Sequence, residues 1–268
     1  MIRRRPTPPA ATPPRRGGAL ALTALCLLVT GGAAAQPVAE VTAGIESLSD
    51  AYADGRSVEA RVTVPHPRGY VQGTAGVLDR FDQGTLVLGA VVARSVGSRW
   101  VVTGSAGGST AGVIAPRARA ALGVGRRWTR AANVLTSLTV GLRDVRDGHR
   151  DLDVIAEAAV YGPTTVFQVG GRLSRSTPGP ATSGRLFAAV VLADVGGAEV
   201  TARLEGGTEA WTVLVPEAPL DVAFRSGEAS VSARRAVAGR WGVVVGAGLY
   251  ANPYYTRVGL RTGLSRSF

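Results

Sequence analysis

Residues 57–64 read Ser57-Val58-Glu59-Ala60-Arg61-Val62-Thr63-Val64, with every even position apolar and every odd position polar. The stretch Ala198-Glu199-Val200-Thr201-Ala202-Arg203-Leu204-Glu205 repeats the pattern. Across 117–125, Ala118, Ala120, Leu122 and Val124 alternate with Arg117, Arg119, Ala121, Gly123 and Gly125. A β-strand sends successive side chains to opposite faces, so each segment carries one apolar face and one polar or small face. Fourteen segments of this kind are legible: about 39–48, 57–64, 70–79, 84–96, 100–108, 116–128, 132–144, 151–161, 164–175, 185–194, 198–209, 220–237, 241–250 and 254–268. Ser226-Gly227 is a possible break in the twelfth, and twelve strands is the alternative count.

Composition agrees with an all-β chain. The 268 residues include 36 Gly and 15 Pro, are 46% hydrophobic and only 18% charged, and contain no Lys. Scarce helix-favouring residues argue against a helical bundle. Two histidines, His66 and His149, leave little material for a His-rich metal site.

Residues 1–35 stand apart. Arg3, Arg4, Arg5, Arg15 and Arg16 precede an apolar run from Ala19 to Val29, and Ala33-Ala34-Ala35 precedes Gln36. A basic start, a short apolar run and a small-residue site form the layout of a secretory signal peptide. Eleven apolar residues are too few to cross a bilayer core of about 30 Å as a helix. Cleavage after Ala35 removes five of the 30 arginines and none of the 19 acidic residues, so the net charge falls from +11 to +6. It also removes Cys26, the single cysteine, so an oxidising compartment supplies no disulfide. No basic cluster with interleaved aromatics remains, and nucleic acid is not an expected partner.

The connections between segments alternate in length. Pro65–Gly69, Gly97–Arg99, Arg130–Ala131, Gly162–Pro163, Val195–Gly197 and Ala238–Arg240 are tight. Most of the others are longer, as at Ser49–Arg56, Ser109–Ala115, Ser176–Gly184 and Ala210–Pro219. A soluble sandwich has no reason for that rhythm. A transmembrane up-and-down β-barrel has one, with short turns on its periplasmic rim and longer loops outside. Lipid cannot hydrogen-bond a free strand edge, so such a sheet must close.

Aromatic placement points the same way. Trp100, Trp128 and Trp241 adjoin tight turns on the apolar face of their strands, and Phe268 ends the chain. These four are expected at a membrane interface, where amphipathic rings settle. Tyr52, Phe81, Phe187, Tyr250, Tyr254 and Tyr255 are expected as a second belt on the opposite rim. In the last strand Val258, Leu260, Thr262, Leu264 and Phe268 share a face, interrupted only by Arg266. An apolar ladder ending in Phe is similar to the insertion signal of bacterial outer-membrane barrels. The expected partners are therefore outer-membrane lipid and lipopolysaccharide, with the barrel-assembly machinery engaging the strand that ends in Phe268.

Three stretches carry a family resemblance: Ser98-Arg99-Trp100-Val101-Val102, then Val113-Ile114-Ala115-Pro116, then Tyr255-Thr256 leading through Gly259 and Gly263 to Phe268. With the even strand count, they make the chain resemble the YaiO-type outer-membrane barrel proteins. The resemblance implies a location and a fold; it supplies no catalytic residues.

The polar face is expected to line a lumen through Glu59, Arg61, Arg117, Arg119, Glu157, Glu199, Arg203 and Glu205. That lining suits a passive pore for small solutes, or an ion-pair network that closes a structural barrel. An enzyme is the alternative. Its one attractive constellation is Arg143-Asp144-Val145-Arg146-Asp147-Gly148-His149-Arg150-Asp151-Leu152-Asp153, where a carboxylate would orient His149 as a general base at an extracellular tip. The competing reading is a charged hairpin turning at Asp147-Gly148. No cofactor is expected, since no phosphate loop, paired-Cys site or nucleotide fingerprint occurs.

Overall fold

A computed structural model describes residues 36–50, 52–110, 114–128, 133–145, 149–179, 181–213 and 220–268. The signal segment and Asp147-Gly148 lie outside the described residues. The strands are β1 (Val38–Leu48), β2 (Gly55–His66), β3 (Gly69–Arg80), β4 (Gln83–Val96), β5 (Trp100–Ser109), β6 (Ala118–Trp128) and β7 (Val134–Asp144). The second half adds β8 (Arg150–Tyr161), β9 (Thr165–Thr177), β10 (Thr182–Val195), β11 (Ala198–Val213), β12 (Leu220–Ala238), β13 (Trp241–Ala251) and β14 (Thr256–Ser267). Each pairs antiparallel with its neighbours in sequence, and β1 pairs with β14 from Val38↔Ser267 to Leu48↔Arg257, closing the barrel. Ser226-Gly227 does not divide β12, which stays paired to β11 from Leu220 to Arg235. The count is therefore fourteen, and the twelve-strand alternative falls.

The alternation of the sequence sets the two faces. Ile45, Leu122, Leu173, Leu186 and Leu204 are 63–74% exposed, all on the outer wall. Among the described residues no large side chain is fully buried. A water-soluble protein would hide these aliphatic groups. Lipid covers them instead, each transfer from water stabilising by roughly 1.5–3 kcal/mol.

Both rims carry short connections. On one, residues 67–68, 97–99, 162–164, 196–197 and 239–240 link consecutive strands. Gly97, Gly196, Gly197 and Gly239 supply the left-handed backbone there. The turn expected at Arg130–Ala131, between β6 and β7, lies outside the described residues. The other rim holds the longer links, 49–54, 110–117, 145–149, 178–181, 214–219 and 252–255. It also holds one tight exception: Phe81 and Asp82 join β3 to β4, with φ of 55° and 57°. Two consecutive positive φ values make the mirror-image turn that matches the twist of a hairpin.

Candidate functional site

The barrel interior gathers most of the charged residues singled out in the sequence. On β2, Arg61 donates through Nη2 to Glu59 Oε1 at 2.7 Å. Glu157 of β8 accepts from Ser137 Oγ at 2.9 Å and Gln168 Nε2 at 3.0 Å. On β11, Arg203 donates to Glu205 at 2.8 Å and lies 4.1 Å over the Phe187 ring, and Glu199 faces Arg234 of β12 in register. Arg119 of β6 lies against β5 and β4, where a Cβ on Gly107 would stand 3.1 Å from its Nε. Arg117 precedes β6 at the rim, its N–H donating to the Asp144 carbonyl at 2.9 Å.

A second set, much of it not singled out in the sequence as lumen lining, binds the strands into longer networks. Arg185 of β10 donates through Nε to Glu205 at 2.7 Å and through Nη1 to Glu209 and to Ser226 Oγ. Ser226 and Tyr250 donate in turn to Glu209, at 2.5 and 3.1 Å. Arg143 holds Asp153 with two nitrogens, at 2.6 and 2.9 Å, and Asp151 at 3.2 Å. Arg80 reaches Glu46 two strands away, Arg257 approaches Glu46 and Glu228 at 3.8 and 4.0 Å, and Arg234 pairs with Glu40. Strand parity alone would have marked all of these as inward; the pairings depend on register and on strands that skip a neighbour.

Glycines on the inner wall do not simply leave empty space. The Phe187 ring lies over Gly170, where a Cβ would meet Cζ at 2.4 Å, and Arg261 lies over Gly246, where its Nε would be 2.6 Å away. A large side chain flattened over a glycine covers the wall without crossing the lumen. Among the described residues, spaces remain along the interior and its mouth. One of about 520 Å³ is lined by Arg61, Arg119, Arg143 and Arg172 with Ser105 and Thr139. One of about 300 Å³ lies between Glu46, Glu228, Arg257 and Arg261. A third, about 990 Å³, opens at the tight-turn rim between Tyr70, Arg127 and Tyr161.

The two rims differ in their aromatics. Trp100, Trp128, Trp241 and Phe268 are 44–51% exposed on the outer wall of the tight-turn rim. Arg126 is held between Trp100 and Trp128, 5.6 and 4.2 Å from their ring centres. Arg266 stands 5.1 Å from both Trp241 and Phe268. The Phe268 N–H donates to the Pro37 carbonyl at 3.0 Å, across the closing seam.

The expected second belt is not a lipid-facing belt. Phe187 and Tyr250 are buried inside, because they share parity with Arg185 and Gly248 rather than with Leu186 and Leu249. Tyr52, Phe81 and Tyr255 pack edge-on within 5.5–5.8 Å of one another, and Tyr250 joins Tyr255 at 5.6 Å. Burial pushes the Tyr255 phenol up, so it stays neutral at physiological pH. Tyr254, half exposed, packs on Phe224.

Of the His149 constellation, Asp151 and Asp153 are engaged by other partners among the described residues. Asp153 is taken up by Arg143 and by Ser174 Oγ at 2.5 Å, and Asp151 by Arg143 and Ser176 Oγ at 2.6 Å. His149 Nδ1 is buried without a hydrogen-bond partner. Among the described residues no group of three or more His, Cys, Asp or Glu is placed to hold a metal.

Comparison with known proteins adds the family. No curated protein matches the sequence. Among solved structures the chain is similar to the CymD monoaromatic hydrocarbon channel, with a TM-score of 0.59 and 7% identity over 87% of this chain and 89% of that one. It is also similar to a bacterial polysaccharide outer membrane secretin, with a TM-score of 0.52 and 8% identity over 87% of this chain and 98% of that one. At such identities the likeness is one of fold. The YaiO membrane beta barrel domain matches residues 38–210, well over half the chain, and this protein of the outer membrane therefore belongs to the YaiO family.

Proposed function

We propose that the barrel is a passive pore for small polar solutes, with a lumen lined by arginine and carboxylate side chains. One observation carries this reading. Fourteen strands enclose an interior in which Arg119, Phe187 and Arg261 lie against the wall at Gly107, Gly170 and Gly246. Barrel diameter grows with strand number; eight strands leave room only for side chains, whereas sixteen to eighteen enclose an aqueous channel. Among the described residues no element other than the fourteen strands is present to plug the interior.

In this reading the first 35 residues direct export and are cleaved after Ala35. The tight-turn rim faces the periplasm, with its Trp and Phe side chains at the lipid headgroups. Phospholipid and lipopolysaccharide are its surroundings, and the strand ending in Phe268 is what the assembly machinery engages. The test is the conductance of the mature chain, refolded and inserted into a planar bilayer. Discrete conductance steps support a pore; a silent but fully inserted barrel rejects it in favour of a closed structural barrel.

A further inference from the structure

Many of the described charges inside this barrel come as compensated sets, although Glu157 accepts only from the neutral Ser137 and Gln168 side chains. Arg80 has Glu46, Arg234 has Glu40, Arg185 has Glu205 and Glu209, and Arg257 lies between Glu46 and Glu228. The cavity of about 520 Å³ departs from that rule. It presents four guanidinium groups, from Arg61, Arg119, Arg143 and Arg172, against two carboxylates, Glu59 and Asp153. Those two are already committed, Glu59 to Arg61 at 2.7 Å and Asp153 to Arg143 at 2.6 Å. Among the described residues Arg119 and Arg172 have no carboxylate partner.

Both are therefore cations without a carboxylate partner among the described residues, lining one shared space. Arg119 is also held in place, laid over Gly107 and Gly89 with Nε and a terminal nitrogen 3.1 and 3.5 Å from where their Cβ atoms would stand. Thr74, Ser105 and Thr139 add hydroxyl groups to the same wall. Arg261 is likewise without a carboxylate partner, yet it shares its smaller space with Glu46 and Glu228, so that region is not basic overall. A guanidinium presents a planar fork of donors that fits carboxylate and phosphate oxygens. Walls of low dielectric focus the field of such a pair into the lumen.

We infer that Arg119 and Arg172 form an oxyanion-binding station that makes the pore prefer anions, with small carboxylate- or phosphate-bearing solutes as its substrates. This deepens the pore reading and rests on it for transport, though not for binding. It requires ion preference and binding to move together when the two charges are removed.

The experiment uses the refolded mature barrel and the double variant Arg119→Gln/Arg172→Gln, which keeps polar side chains and removes both charges. Reversal potential in a KCl gradient is measured in planar bilayers. Citrate and inorganic phosphate are titrated calorimetrically against the same proteins in detergent. The native barrel should favour chloride over potassium and bind at least one of the two oxyanions. The double variant should lose most of the preference, bind several-fold more weakly and keep a comparable conductance. Citrate without phosphate binding assigns the carboxylate class, and the reverse assigns the phosphate class.

Thr139→Asp places a carboxylate on the cavity wall while leaving both arginines intact, and should also erase the preference. It serves as the deciding variant if the double substitution fails to fold. Unchanged preference and unchanged binding in these variants would overturn the station while leaving the pore standing. A barrel that never conducts yet loses citrate or phosphate binding on substitution rejects the pore and keeps the station.

Discussion

Phe187 and Gly170 sit on adjacent strands with the Phe187 ring laid over the Gly170 backbone, so close that a Cβ on residue 170 would stand 2.4 Å from Cζ. The ring also stacks against Arg203, whose guanidinium lies 4.1 Å from its centre. A methyl group at 170 would also approach the Ala156 carbonyl at 2.7 Å, so neither the side chain nor the wall can yield cheaply. Gly170→Ala should therefore destabilise the folded barrel by about 1–3 kcal/mol, the usual range for overpacking. Gly84→Ala is the control, since nothing lies within 4 Å of its Cβ position. Urea titration of both variants in lipid vesicles measures the difference.

Leu122 and Ala121 are chain neighbours with opposite surroundings. Leu122 is 73% exposed on the outer wall near the centre of β6, whereas Ala121 lines the 520 Å³ cavity. Arginine on a lipid-facing wall at the midplane costs about 2–4 kcal/mol, but a lumen substitution mainly changes what the interior admits. Leu122→Arg should fold poorly into bilayers, and Ala121→Arg should fold and alter conductance. Gly123, the other neighbour, is unsuitable as the inward partner. The Thr103 and Thr139 hydroxyls lie 2.4 and 2.5 Å from where its Cβ would be. Equal folding of the Leu122 and Ala121 variants would mean that the two faces are wrongly assigned.

Strand existence and facing were legible because the outer wall contacts lipid and must be apolar at every second residue. Arg61, Arg119 and Arg203 could be placed inside from that period alone. Phe187 and Tyr250 could have been placed by the same rule, had parity been followed there instead of proximity to a rim. What the period does not encode is which inward charges meet. Glu46 reaches Arg80 across an intervening strand, with Gly55 beneath it, where a Cβ would stand 3.0 Å from Glu46 Oε2. That pairing follows from barrel curvature and register, which local sequence does not state.

Orientation can be read with single cysteines, because Cys26 is the only native one and lies in the segment expected to be cleaved. Arg240 belongs to the β12–β13 turn and Tyr254 to the β13–β14 loop on the opposite rim. In intact cells an impermeant maleimide should label Tyr254→Cys and spare Arg240→Cys. The reverse labelling pattern would invert the barrel in the membrane.

Phe268 contributes a backbone hydrogen bond to the seam and a ring to the Arg266 site. Phe268→Ala keeps the backbone bond but loses the ring's cation–π contact and its contact with lipid, together worth about 2–4 kcal/mol at most. Stability after refolding into vesicles should change by no more than about that amount. The level in the outer membrane of cells should fall much further if the assembly machinery reads this residue. Parallel losses in both assays would make Phe268 a structural anchor only.

Arg185 spans two carboxylates, its Nε on Glu205 and Nη1 on Glu209 and Ser226, and its side chain is only 11% exposed. Lysine has a single ammonium group and cannot reproduce that fork, so Arg185→Lys should be destabilising despite keeping the charge. A lost charged hydrogen bond of this kind is worth roughly 1.5–3 kcal/mol, at the lower end here because the Glu209 side chain is 27% exposed. Arg185→Met should be worse at neutral pH, since it leaves Glu209 with only Ser226 and Tyr250 as donors. Urea titrations of Arg185→Lys and Arg185→Met in lipid vesicles decide it: equal losses in the two variants would show that Arg185 acts through packing of its stem and not through its charged fork on Glu205 and Glu209.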